Sequence, residues 1–414
     1  MIDRRRVLSS MAATGMVASL PGTPTQAASA VTLPMPPPGP RMNFDQADRV
    51  LAELELDALV LGSGVNFRHA TGFRPVLTRM GRPPGSLAVV TRQKRGPVAV
   101  VMAEFSYYYT LADVHRAQGL PIYLYSASRW PAEEDESGDA IPLDLFPDRG
   151  EVPLDRIETD RLRFTEAEVR GQKPAGSQVA ALAQVLAAFD LLDGRLAVDG
   201  PAVAAALGQA APKAVQADAD DALRRIRLVK SPVEITLMRQ AAQGNVDAAL
   251  EAIGKVRAGG SYRGLRSEFF AAAARRGQRG VFMVVDRVSD ESFDAELRDG
   301  QAFLIDCVSE YEGYHGDYGR TVFIGEPPAA MRKVTTAISQ AWDRVRDELK
   351  PGMRFSDIRA TGQAALADAG VNYRVPFNPH SVGLYHTDHT GFGTSPPIGD
   401  VLLEPGMILS IDCP

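Results

Sequence analysis

Apolar positions along the chain form two successive patterns. From Met42 to about residue 215, short apolar runs alternate with stretches of helical period. Asn43–Leu54 repeats its apolar positions as an amphipathic helix does. LDALVLGSG (Leu56–Gly64), SLAVVT (86–91) and PVAVVMAEF (97–105) are apolar on both alternating faces. Such runs read as strands buried on both sides. Turn residues separate them. The alternation predicts an α/β domain over 42–215.

A different pattern begins at Asp221. DALRRIRLVKSPVEITLMRQAAQGNVDAALEAIG is helical in period, with Pro232 near a helix start. Ser261–Arg276 predicts another helix. Gln301–Gly325 predicts a β-hairpin. Ala330–Leu349 and Phe355–Ala369 predict amphipathic helices separated by PGM. A His- and Gly-rich loop (His380–Gly399) then leads into a last strand, Met407–Asp412. No repeat of short period is present.

The N-terminus stands outside both patterns. Arg4, Arg5 and Arg6 precede the apolar, small-residue run Val7–Leu20, and Ala28-Ser29-Ala30 offers a cleavage site. The run is too short to span a bilayer. Residues 1–30 therefore read as a signal peptide. The paired arginines followed by Val7 and Leu8 resemble a twin-arginine export signal, which implies a periplasmic or secreted protein. The Pro-rich stretch through residues 31–41 reads as an extended linker.

Composition adds exclusions. The hydrophobic fraction of 45% and charged fraction of 23% are those of a globular protein. A net charge of −6, with no Lys/Arg cluster beyond the extreme N-terminus, excludes a non-specific nucleic-acid binder. Two cysteines, Cys307 and Cys413, exclude a disulfide-built scaffold. Each follows an acidic residue of interest, so they read either as a pair that bridges in an oxidising compartment or as two buried free thiols.

The chemistry concentrates in the second pattern. FLIDCVSEYEGYHGDYGRT sets Asp306 and Asp317 with ten residues between them, symmetric about a midpoint between Tyr311 and Glu312. A hairpin turning there makes them cross-strand partners on one face, where like charges repel. Such a pair needs a cation, a shared proton or an arginine partner such as Arg320. FNPHSVGLYHTDHTGFG gathers His380, His386 and His389, half of the six histidines in the chain. LEPGMILSIDCP ends its strand in Asp412. Carboxylates with imidazole suit Mn²⁺, Mg²⁺, Zn²⁺, Co²⁺ or Fe²⁺. His69 and His115 read as non-ligands. His315, two before Asp317, reads as a solvated turn residue or as a support behind the metal ligands, and Glu310 and Glu312 read as hairpin-tip positions.

These motifs, with VNFRHATGF, RLVKSPVEITLMRQAA and LKPGMRFSDI in the same order, resemble the superfamily of creatinase, aminopeptidase P, prolidase and methionine aminopeptidase. The resemblance covers nearly all of residues 42–414. It implies a creatinase-type N-terminal domain over 42–215 and a pita-bread catalytic domain over 221–414. It also implies two divalent metal ions, manganese first, with Asp306, Asp317, His380 and Asp412 as ligands. His386 would be the proton-transfer histidine of the loop, with His389 as rival because the family's spacing of seven is six here. The implied activity is cleavage of small peptides of Xaa-Pro type, by a homodimer. The alternatives are a creatinase-like or lyase-like enzyme on a small non-peptide substrate, or a non-catalytic relative.

Three departures accompany the resemblance. Asp412 stands where the family usually has Glu. The family's last strand, with a fifth ligand, lies beyond Pro414, so the chain reads as a fragment lacking the C-terminal strands of that domain. The stretch DRVSDESFD lacks the histidine that peptidase relatives carry before the first Asp.

Overall fold

The structure is a computed structural model. It describes residues 39–413 except 76–77, 79, 93–95, 111–119, 127–151, 373 and 389–399. The expected signal peptide and most of the linker lie outside the described residues, as do His115 and His389. Among the described residues no helix is long and apolar enough to cross a membrane.

The N-terminal half runs α1 (Phe44–Glu53), β1 (Ala58–Leu61), α2 (Gly64–Thr71), β2 (Ser86–Thr91), β3 (Ala99–Ala103), α3 (Glu104–Thr110), β4 (Ile122–Tyr125), α4 (Arg156–Gln172), α5 (Gln178–Ala188), β5 (Arg195–Val198), α6 (Pro201–Ala210) and β6 (Val215–Asp218). Its six strands form one mixed sheet in the order β4-β3-β2-β1-β5-β6. Alternate strand residues face opposite layers. Leu59, Leu61, Ala88, Val90, Val100 and Met102 pack with α1 and α2. Ala58, Val60, Leu87, Val89, Ala99 and Val101 pack with α5 and α6. Burial on both faces explains the unbroken apolar runs. Each buried Leu or Val contributes about 1.5–3 kcal/mol by leaving water. The expected strand at Leu56–Gly64 is shorter, because Gly64 already opens α2 behind the Ser63 cap. The last strand of the sheet, β6, extends past residue 215 to Asp218.

The C-terminal half begins with α7 (Asp220–Leu228) and α8 (Pro232–Ile253). The continuous helical period of 221–254 is broken at Val229–Ser231. There Ser231 and Glu234 form a capping box and Pro232 takes the first turn, where its missing N–H costs nothing. Next come α9 (Tyr262–Arg275), β7 (Arg279–Val285), β8 (Ala302–Tyr311) and β9 (Tyr314–Phe323). The three strands form one antiparallel sheet with β8 in the middle. Phe303, Ile305, Cys307 and Tyr318 pack against α8 and α9, which leaves the opposite face free for polar groups. The chain continues through α10 (Ala329–Glu348), α11 (Phe355–Asp368), β10 (Asn378–Ser381) and β11 (Leu409–Asp412). The last two strands pair antiparallel under α10 and α11.

Candidate metal centre

The hairpin turns at Glu312–Gly313, both with positive φ (54° and 85°), as a two-residue turn matched to strand twist requires. Tyr311 pairs with Tyr314, Val308 with Asp317 and Asp306 with Gly319. The expectation of direct Asp306–Asp317 pairing is therefore corrected. The turn is centred one residue later than the symmetry of the two aspartates suggests, and they sit diagonally. They still share a face, with Cβ atoms on the order of 7 Å apart. The diagonal leaves more room between the carboxylates than direct opposition would.

The histidines reach this face from β10 and the loop after it. His380 pairs with Ser410, and Asn378 with Asp412, so His380 and Asp412 lie on one side of their ribbon. Asp317 Oδ2 lies 3.3 Å from His380 Nε2 and 3.4 Å from His386 Nε2. His380 Nε2 is also 3.4 Å from Asp412 Oδ2. The Ser410 hydroxyl adds a hydrogen bond to Asp317. The Phe282 ring meets the His386 ring edge-on at 5.3 Å and restricts its tilt. His380 Nδ1 faces the Ser381 carbonyl at 3.4 Å, which leaves Nε2 for the cluster. Arg320 does not serve as the partner of Asp317. It is exposed and lies over the Tyr318 ring at 4.2 Å.

The electrostatics are those of a cation site. Burial, then Asp317 and Asp412, push the Asp306 carboxyl up to about 6. Burial opposes ionisation of Asp317, but the imidazoles of His380 and His386, 3.3 and 3.4 Å away, outweigh it and hold that carboxyl well below its ordinary range. Burial disfavours charge on His380, yet Asp317 and Asp412 push it up to about 10. Asp317 Oδ2 and His380 Nε2 are buried, and neither makes a well-directed hydrogen bond. The ligand atoms of Asp317, His380 and His386 all lie within 4.8 Å of one another. Oxygen and imidazole donors converging without partners fit a divalent ion. Asp412, its side chain half-exposed, and Asp306 flank this triad. His386 thus stands among the ligand atoms, although the sequence suggested only proton transfer for it.

Several neighbours are held by contacts that the sequence does not show. His315 is buried, with Nδ1 3.1 Å from the Gly383 carbonyl, because the histidine loop covers it. Glu310 accepts a two-point contact from Arg279. Glu312 is gripped by Arg41, Arg68 and Arg74 from the N-terminal half. His69 lies in α2, fully buried, 3.0 Å from Glu234. Cys307 and Cys413 are free thiols in two separate apolar clusters.

Residues without an assigned role in the sequence complete the surroundings. Asp388, fully buried, accepts from Arg227 Nε at 2.7 Å, and its own N–H donates to the Ser381 carbonyl at 2.9 Å. This closes the loop that carries His386. A Cβ at Gly383 would lie 2.8 Å from Asp388 Oδ2, so a larger residue there would displace that carboxylate. Arg227 belongs to the quoted stretch RLVKSPVE, but nothing local in the sequence points to a partner so distant.

Known proteins resemble this chain in sequence and in fold. Residues 236–413 match metallopeptidase family M24. The probable dipeptidase PepE of Mycobacterium tuberculosis is 27% identical over 287 residues, covering 63% of this chain and 72% of that protein. A Xaa-Pro dipeptidase of Lactobacillus delbrueckii is 30% identical over 117 residues, 28% of this chain and 31% of that protein. Among solved structures, a dipeptidase from Pyrococcus horikoshii superposes with a TM-score of 0.61 at 17% identity, covering 89% of each chain. A Xaa-Pro dipeptidase from Bacillus anthracis gives 0.60 at 16%, covering 89% of this chain and 88% of that one. Residues 236–413 thus carry a domain that matches metallopeptidase family M24, and the chain has the pita-bread fold of the prolidases it superposes on.

Proposed function

We propose that the protein is an exported, metal-dependent peptidase acting on small peptides of Xaa-Pro type. The observation that carries this reading is the buried Asp317 carboxylate facing two imidazole nitrogens with no well-directed hydrogen bond on its inner oxygen. Relatives whose names read dipeptidase and Xaa-Pro dipeptidase support the substrate class.

Asp306, Asp317, His380 and Asp412 would hold two divalent ions. The chemistry such ions supply is Lewis acidity toward a peptide carbonyl and toward water. Manganese comes first because carboxylate oxygens dominate the donor set, with zinc, cobalt or iron as substitutes. The protein's own groups do the rest. His386, steadied by Phe282, donates a hydrogen bond or a proton to the oxygen that gains charge as the peptide carbon becomes tetrahedral. His389 is the alternative donor. Asp412, the more exposed acid, is suited to accept a proton from water.

The test is a panel of Xaa-Pro dipeptides and Xaa-Pro-Yaa tripeptides, with proline-free controls, read by mass spectrometry. Metal-stripped protein should cleave none, Mn²⁺-reloaded protein should cleave the proline set, and Asp317→Ala should stay inactive. Equal cleavage without metal contradicts the reading. A second reading, cleavage of a small non-peptide substrate, is favoured by residues 286–294, which carry no histidine. Turnover confined to such compounds would support it.

Export rests on Arg4–Arg6 and the apolar run after them. Cell fractionation with Arg4→Lys/Arg5→Lys/Arg6→Lys tests it, since retention of wild type in the cytoplasm would contradict it. Homodimer formation is part of the same reading and is tested by light scattering on the purified protein.

A further inference from the structure

The two-turn helix α2 lies in the N-terminal half, yet three of its side chains reach three different segments of the metal domain. Asn66 Oδ1 accepts from Arg227 Nη1 at 2.8 Å, and Arg227 carries the contact on to Asp388 at the end of the histidine loop. Arg68 pairs with Glu312 at the turn of the metal hairpin, joined there by Arg41. His69 lies 3.0 Å from Glu234 Oε1, the same oxygen that accepts from the Tyr314 hydroxyl at the start of β9. The helix is itself fixed. Asp199, beyond β5, accepts from the Gly62 and Ser63 N–H groups and from Asn66 Nδ2. Asn66, Arg68 and His69 are all buried.

His380 and His386 come from one segment, and Asp306 and Asp317 from another, far away in the chain. Their ligand atoms meet only if the histidine loop and the hairpin keep their relative position. Partners around a ligand shell tune its affinity through such orientation. Buried charged contacts enforce position, because separating them leaves an uncompensated charge. We propose that α2 is a positioning element for the metal centre: Asn66 sets the histidine loop through Arg227 and Asp388, Arg68 sets the hairpin through Glu312, and divalent-ion affinity therefore depends on the N-terminal domain. The inference rests on the metal reading above. None of these residues touches the ion. Their role is to hold the two ligand-bearing segments in register.

The experiment is calorimetric titration of Mn²⁺ into metal-stripped full chain, below the melting temperature of each variant. Asn66→Ala and Arg68→Ala should each weaken Mn²⁺ binding about tenfold. Arg68→Lys keeps a cation beside Glu312 but loses the planar fork, so it guards against loss of folding and should weaken binding about threefold. Glu251→Gln, which breaks surface contacts to Arg275 and Arg276, should bind as wild type does. Wild-type affinity in Asn66→Ala and in both Arg68 variants, even with lowered melting temperatures, would overturn the proposal, since α2 would then only join the domains. A wild-type protein that binds no Mn²⁺ would overturn the metal reading, and this inference with it.

Discussion

Gly316 sits one residue before Asp317, where β9 runs against the backbone of α8. A Cβ built there would lie 2.5 Å from the Ala241 carbonyl oxygen, 2.6 Å from Asn245 Cβ and 2.9 Å from the Ala241 carbonyl carbon. Ordinary contacts begin at about 3.5 Å, so Gly316→Ala must open the strand–helix interface by about 1 Å. Neither side yields easily. Asn245 donates to the Cys307 carbonyl at 2.9 Å, and its Oδ1 lies 2.8 Å from the Ser309 hydroxyl, directly across the hairpin from Gly316. Overpacking of this kind costs about 1–3 kcal/mol, and two opposed backbones put it at the upper end. For a domain of this size that lowers the melting temperature by about 6–12 °C. The same displacement carries Asp317 away from His380 and His386, so Mn²⁺ affinity should fall as well. Gly319→Ala is the control for stability. It adds a methyl to the same strand, where the nearest atom, the Ile305 carbonyl oxygen, is 3.4 Å away. Differential scanning calorimetry of the two metal-stripped variants decides the matter. Melting temperatures within 1 °C of each other would refute the close-approach argument.

Other consequences follow from buried groups. Glu104 is fully buried with neither carboxylate oxygen bonded, and burial pushes its carboxyl from 4.5 up to about 7. An acid raised in the folded state costs stability above that value and is relieved as pH falls toward 4.5. At about 1.4 kcal/mol per pH unit the cost is about 3 kcal/mol. Glu104→Met should therefore stabilise at pH 8 and show no such gain near pH 4.5 in urea unfolding, and an equal gain at both would contradict this. Arg227→Leu strands the buried Asp388 and should cost about 3–5 kcal/mol, most of it recovered in Arg227→Leu/Asp388→Leu. Thermal melts check this, and equal losses in single and double variants would count against the pair. Unreduced, denatured protein should titrate two thiols. In the native protein only Cys413, pushed up to about 12 by burial, should react, and slowly. A count of zero would mean the bridge forms.

Much of the site was legible in the sequence, because its chemistry is carried by clustered residues. The histidine loop stands out by composition alone, and the aspartates by their place in an apolar run. The helix break before Pro232 follows from local capping chemistry. The register of the hairpin was less legible. Its centre depends on Glu312 adopting a left-handed conformation, which few residues other than glycine and asparagine favour. Contacts between distant segments were not legible. Glu312 looks like a solvated turn residue until three arginines from the other domain surround it. His315 is buried only because the Gly383 carbonyl, 68 residues on, covers it. Asp388 carries no local sign that its partner is Arg227, since only the fold brings that pair together.

X-ray absorption on Mn²⁺-loaded, desalted protein looks directly at the ligand shell around Asp317. Retained manganese in an oxygen-rich shell with an imidazole contribution, the latter diminished in His380→Ala, is the result this account requires. Manganese lost on desalting, or bound without any imidazole signal, would contradict it.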